Sequence, residues 1–214
     1  MKAQDASAYI HSLIAEGEHI HQDFKFEISD SRKIARTLSA FSNTDGGRLL
    51  IGVKDNGNIA GVRSEEEIYM IDTAASIYCC PEVNVGIERY MADGRQVLVV
   101  QVPPAPAKPV MVRNSDGRWL AYVRIADENI LATAVHIGAW KCAARDIPHT
   151  LNYTAQEREI LDTIASGNGL TFQQICRRTA VPGKNAVRLL SLLVHWGIIE
   201  ICHDGHNFLY SAKR

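Results

Sequence analysis

Lys184, Asn185, Arg188, Ser191 and His195 fall within one arc when the segment from Lys184 to Trp196 is wound at about 100° per residue, and nearly all the other positions are apolar. A polar stripe opening Lys-Asn-x-x-Arg offers side chains for base edges near a helix N-terminus and positive charge for phosphate. The solvated face of an ordinary helix carries the same kind of stripe. Leu192 lies inside the arc and Leu189 and Trp196 at its edge, so part of this face could meet another subunit. A homodimer is expected, and it would suit palindromic DNA.

A second concentration lies in FSNTDGGRLLIGVKDNGNIAG (41–61), which holds five of the chain's 15 glycines: Gly46, Gly47, Gly52, Gly57 and Gly61. Glycine allows positive φ and close approach by another group, so the cluster has a turn-making or a ligand-facing reason. Gly46-Gly47 sits where a helix should end and Gly57 fits a hairpin turn. Gly52, in mid-strand, calls for a bulge or for something pressed against the backbone. No GxxxxGK[ST] occurs, which excludes a P-loop. His19 and His21 precede the window on one face of an extended segment, where they could ligate a metal or stand as exposed loop histidines.

The elements that must position these residues follow from periodicity. A first helix covers 5–17, a strand 23–28, a helix 29–44 capped by Ser29 or Ser31, and a hairpin 47–55 with 58–63. A helix over 64–80 opens with Ser64 and Glu67 in capping-box spacing. Strands follow at 83–91, 95–102, 110–114 and 118–125, and a helix from about Asn129 to Arg145 closes the unit. Strands and helices mix without regular βαβ alternation, which predicts an α+β domain with a mixed sheet. A boundary near Ile147-Pro148-His149 divides domains at 1–147 and 152–214. The second holds helices at 154–166 (capped by Thr154, with Glu157 in box spacing), 170–180 (capped by Thr171) and 184–196, then a hairpin of 198–202 and 208–212. That is the order of a winged helix-turn-helix.

Composition is that of an ordinary globular protein: 46% hydrophobic, 22% charged, formal net charge −1. No global polycation is present, although residues 1–150 carry 16 Lys+Arg against 19 Asp+Glu and residues 151–214 carry 7 against 5. Five cysteines with no CxxC pair suggest buried thiols in a reducing compartment rather than a disulfide framework or zinc site. No signal-peptide pattern and no apolar run of about 18 residues occurs, so no membrane partner is expected and a cytoplasmic location is.

GEHIHQDFKF (17–26), AFSNTDGGRLLIGVKDNGNIAG (40–61), KPVMV (108–112) and AYVRIADENILAT (121–133) together resemble the Schlafen/AlbA-type domain. Its pattern is Glu, four residues, an acidic residue, Phe-Lys, then Phe-x-Asn-Thr-x-Gly-Gly, Gly-Val-x-Asp-x-Gly and a late Tyr-x-Arg. The resemblance covers about residues 1–145. It implies a DNA-binding or transcription-regulating protein of the bacterial type, often carrying a C-terminal winged helix. An older description of the family as divergent ATPases implies nucleotide binding. Some eukaryotic relatives are RNA endonucleases with a metal-binding carboxylate triad.

Carried over by position, that triad is Glu18, Asp23 and Asp55, which would be both the catalytic residues of a nuclease and the ligands of Mg²⁺ or Mn²⁺. Asp23 departs from the Glu often found there and is shorter by one methylene. Lys25 and Arg124 match the Phe-Lys and Tyr-x-Arg positions, where they would meet phosphate or else neutralise Glu18, Asp23 or Asp55. Arg48, Lys54 and Lys108 could extend such a surface. Asn43, Gly46, Gly47 and Gly52 make the candidate ligand loop, with Asn43 expected to cap the turn before the glycine pair. Three readings result: a regulator whose winged helix contacts DNA and whose first domain binds nucleic acid or a phosphate-bearing effector; a metal-dependent ribonuclease acting on RNA; and a nucleotide-binding protein dimerised by its winged helix.

Overall fold

The computed structural model describes residues 3–62, 64–145 and 154–213. They form two compact units, 1–132 and 133–214. The first contains α1 (Ala3–Glu16), β1 (Gln22–Lys25), α2 (Ser31–Asn43), β2 (Gly47–Ile51), α3 (Glu66–Thr73) running into a π turn (Ala74–Tyr78), β3 (Cys79–Cys80), β4 (Gly86–Ala92), β5 (Arg95–Val102), β6 (Met111–Arg113), β7 (Trp119–Ile125) and β8 (Glu128–Leu131). One sheet has the order β1-β2-β5-β4, with β1 and β2 parallel and the other pairs antiparallel. The second, β3-β6-β7-β8, is antiparallel throughout. The α+β class with mixed pairing agrees with the sequence.

The runs LLI in β2 and VLVV in β5 are apolar without alternation because both faces of that sheet are covered. Leu50, Val97 and Val99 pack with Ile10 and Leu13 of α1, while Leu49, Ile51, Leu98 and Val100 pack with Ile34, Leu38 and Phe41 of α2. Each such side chain contributes about 1.5–3 kcal/mol on burial. Helix α2 is closed in further by the second sheet. Ser39 Oγ donates to Val110 O and accepts from Tyr122 N, and Asn129 Nδ2 donates to Thr37 Oγ1. Its cap is Asp30, whose Oδ1 accepts from Arg32 N, rather than Ser29 or Ser31. The carboxylate beside the first turn also suits the helix dipole.

The second unit contains α4 (Ala134–Ala144), α5 (Ala155–Ala165), β9 (Leu170–Thr171), α6 (Phe172–Arg178), α7 (Gly183–His195), β10 (Ile199–His203) and β11 (Phe208–Ala212), with sheet order β10-β11-β9. Capping boxes at Thr154/Glu157 and Thr171/Gln174 start α5 and α6. Three helices and a hairpin stand in the expected order. The short β9 on β11 was not foreseen.

Two expectations need correction. Residues 58–63 form no strand in the described part, 58–62; a single bridge joins Val53 to Ile59. Residues 128–131 are strand, and the helix that follows belongs to the second unit rather than closing the first. A Cβ on Gly138 of α4 would stand 2.1 Å from Ser191 Oγ of α7, so only glycine lets these two helices pack this closely. The region of the anticipated boundary, 147–149, lies outside the described residues.

Candidate functional site

Asp23 and Arg124 are the centre of the first unit's polar interior, 3% and 1% exposed respectively. Residue 23 is carried by β1 and residue 124 by β7. The guanidinium lies 3.3 Å from Asp23 Oδ1, donates to Gln22 O at 3.1 Å, to His19 O at 3.3 Å and to Asn129 Oδ1 at 3.0 Å, and lies over the Phe41 ring. Lys25 Nζ is 2.8 Å from Asp23 Oδ2 but aligns its hydrogen bond on Phe24 O, which leaves Oδ2 without an aligned hydrogen-bond donor among the described residues. Glu18 comes to the same place: its Oε1 accepts from Phe24 N at 2.9 Å. Burial and the neighbouring Asp23 carboxyl raise its pKa above the ordinary 4.5, against the opposing pull of the Phe24 amide and Lys25.

The structure therefore unites Glu18 and Asp23 but not Asp55. Asp55 is exposed on the turn closed by Gly57 N donating to Lys54 O and Lys54 N donating to Asn58 O. Among the described residues no three His, Cys, Asp or Glu side chains gather so as to hold a metal ion. Asp23 is moreover neutralised from both sides by Arg124 and Lys25. The three carboxylates do not fit a Mg²⁺ or Mn²⁺ site in this arrangement, and the catalytic and metal assignments to Glu18, Asp23 and Asp55 are corrected accordingly. The phosphate-contact role of Arg124 falls for the same reason, because a guanidinium closed off from solvent and engaged on all sides cannot reach a phosphate; Lys25 is paired with Asp23, but its side chain is 36% exposed.

The glycine window resolves in favour of structure. Gly52 has φ +93°, its carbonyl accepts from Ala60 N and Gly61 N, and a Cβ on it would meet Gly61 C at 2.9 Å. The group pressed against it is the chain itself rather than a ligand. Gly46, at φ +76°, ends α2 by donating to Phe41 O. Asn43 is buried and caps no turn: its Nδ2 donates to Val110 O, Tyr122 O and Ser39 Oγ, and its Oδ1 accepts from Val110 N at 2.7 Å. Asn43 and Gly52 are thus removed from the ligand loop. Gly46 and Gly47 do border an open recess of about 620 Å³, together with His21 and Arg48. Arg48 is engaged by Glu16 and by Gln22 Oε1, and Lys108 donates to Thr44 O. His19 and His21 pair with Glu16 and Gly46 O, 6.2 Å apart between ring centres.

Charge remains open elsewhere. A recess of about 870 Å³ is bordered by Phe26, Lys54, Asn58, Asp93 and Arg95. Phe26 and Arg95 were not singled out from the sequence. The available signal was an aromatic residue one position past the end of β1, which leaves it 37% exposed.

In the second unit the polar arc divides. Lys184 and Arg188 are exposed, and among the described residues neither forms an ion pair; Asn185 is half-buried, 3.5 Å from Gln156 Oε1. Ser191 is buried, donating to Val187 O and Val135 O under α4, so it is not part of a DNA-facing stripe. Leu189 is core and unavailable to another subunit, whereas Leu192 stays half-buried. The turn between β10 and β11 is held by Asp204 Oδ1, which accepts from His206 N and Asn207 N; these bonds lower its pKa. No described helix is long and apolar enough to cross a membrane.

The family model described as Schlafen, AlbA_2 matches residues 18–133, more than half of the chain, and an IclR helix-turn-helix domain matches 159–200. Together the two domains point to a nucleic-acid-binding protein. Among solved structures, the DIP2311 protein of Corynebacterium diphtheriae is 18% identical over 65% of this chain and 33% of its own, TM-score 0.45. The N-terminal domain of a RecG-related protein from Nitrosomonas europaea is 20% identical over 62% of this chain and 91% of its own, TM-score 0.43. The match thus spans about a third of the first of these chains. No curated protein matches.

Proposed function

Since the chain belongs to the Schlafen, AlbA_2 family, we propose that it is a transcriptional regulator whose second unit docks duplex DNA through the N-terminal turns of α7. The carrying observation is the pair Lys184 and Arg188, exposed one turn apart and lacking a counter-ion among the described residues. A recognition helix needs open charge there, at its N-terminal end, to meet phosphate and base edges. Arg177 and Arg178, exposed at the end of α6, add positive charge on the helix that precedes it. Two copies would read a palindrome, with Leu192 left part-exposed on α7 for the partner copy. The first unit binds a second nucleic-acid segment or phosphate-bearing ligand.

The test is duplex binding followed by fluorescence anisotropy. Arg188→Ala weakens it about tenfold, the loss of one good charged contact. Arg118→Ala, which removes an exposed arginine already paired with Asp116, leaves it unchanged. Equal affinity of Arg188→Ala and the parent chain contradicts the proposal.

A further inference from the structure

The recess at the end of β1 differs from the Asp23–Arg124 centre in leaving its cations open. Lys25, Arg48, Lys108 and Arg124 are all engaged by carboxylates, side-chain amides or backbone carbonyls. Lys54 and Arg95 form no ion pair among the described residues, and Lys54 Nζ stands 5.2 Å over the exposed Phe26 ring. Arg95 is held by Ile59 O, which fixes its guanidinium at the border. The one acid bordering the recess, Asp93, shares a hydrogen bond with His11 Nε2 at 3.0 Å. Asn58 also borders the recess.

An aromatic ring with one cation over its face and a second on the same border can take a base by stacking, the lysine moving off the ring to a neighbouring phosphate. We propose that this recess binds single-stranded nucleic acid, one base against Phe26 and the flanking phosphates on Lys54 and Arg95. A mononucleotide could offer the base, but only a strand supplies phosphates on both sides of it. The proposal deepens, and rests on, the reading of the first unit as a nucleic-acid binder. It is independent of duplex docking by α7.

The experiment measures the full chain against labelled (dT)12, (rU)12 and a 20-base-pair duplex, with inorganic phosphate as competitor. Phe26→Ala and the double variant Lys54→Ala/Arg95→Ala should each weaken strand binding about tenfold and leave the duplex affinity unchanged. Phe26→Trp should restore it, which a merely structural role for the ring would not give. Preference for (rU)12 assigns RNA and preference for (dT)12 assigns single-stranded DNA. Strand binding unchanged in these variants, or displaced by millimolar phosphate alone, overturns the proposal. If strand binding survives in Phe26→Ala while Arg188→Ala abolishes duplex binding, only this site fails. If Phe26→Ala loses the strand and Arg188→Ala keeps the duplex, only the α7 reading fails.

Discussion

Arg124 in the first unit and Arg188 in the second carry the same guanidinium in opposite circumstances. The former is 1% exposed and donates to His19 O, Gln22 O, Asp23 and Asn129; the latter is exposed on α7 with no ion-pair partner among the described residues. The contrast extends to their neighbours. Around Arg124 one acid and three carbonyl oxygens are brought in by residues 19–23 and by Asn129 of β8, so the charge is neutralised inside the fold. Around Arg188 the helix face is open, so charge is left for a partner. A basic residue in a plausible motif says nothing about which of these it will be; the elements packed around it decide.

The largest expected effect breaks the buried half of that comparison. Arg124→Ala leaves buried Asp23 with Lys25 alone as counter-charge and takes the buried donor from His19 O and Gln22 O, and should destabilise the first unit by about 3–5 kcal/mol, read by thermal or denaturant unfolding. A variant of unchanged stability with impaired nucleic-acid binding would move Arg124 from the structural to the functional side.

A somewhat smaller effect separates the two units by pH. His136, half-buried in the second unit against Trp140 and Phe208, has its pKa lowered from 6.5 to about 4 by desolvation. As pH falls the unfolded chain takes up this proton first. Stability is therefore full above pH 6.5 and is lost progressively down to about 4, by about 3 kcal/mol at 1.36 kcal/mol per unit. Glu18 in the first unit acts the other way: its raised pKa contributes stability below 4.5 that is lost as pH rises through the raised value. His136→Phe should flatten the acid loss of the second unit, as measured by unfolding across pH 7 to 4, and leave the first unit's profile alone.

Much of this was legible in the sequence, for reasons specific to particular residues. The winged helix could be read because Thr154/Glu157 and Thr171/Gln174 are local capping signals and α7 has a strong apolar stripe. The place of α4 could not, since what decides it is a contact between Gly138 and Ser191, 53 residues apart in the chain. The early acidic pair was found through the resemblance to the Schlafen/AlbA-type pattern, and the structure brings Glu18 back onto the Phe24 amide. Asp55 was misassigned because its distance from them depends on how the turn after β2 folds, and the backbone bonding of Gly52 to Ala60 and Gly61 directs that turn. Ser191 looked like part of a recognition face until α4 covered it, which helical angle alone cannot reveal.

The smallest effect in energy is the most direct test of the account. Log affinity for duplex DNA is measured against log salt concentration for the parent chain and for Lys184→Ala/Arg188→Ala. Two lost phosphate contacts should reduce the slope by about 1.8, at about 0.9 per contact. An identical slope in the two proteins would mean that the open charge on α7 does not meet DNA, and the comparison between the two arginines would lose its functional half.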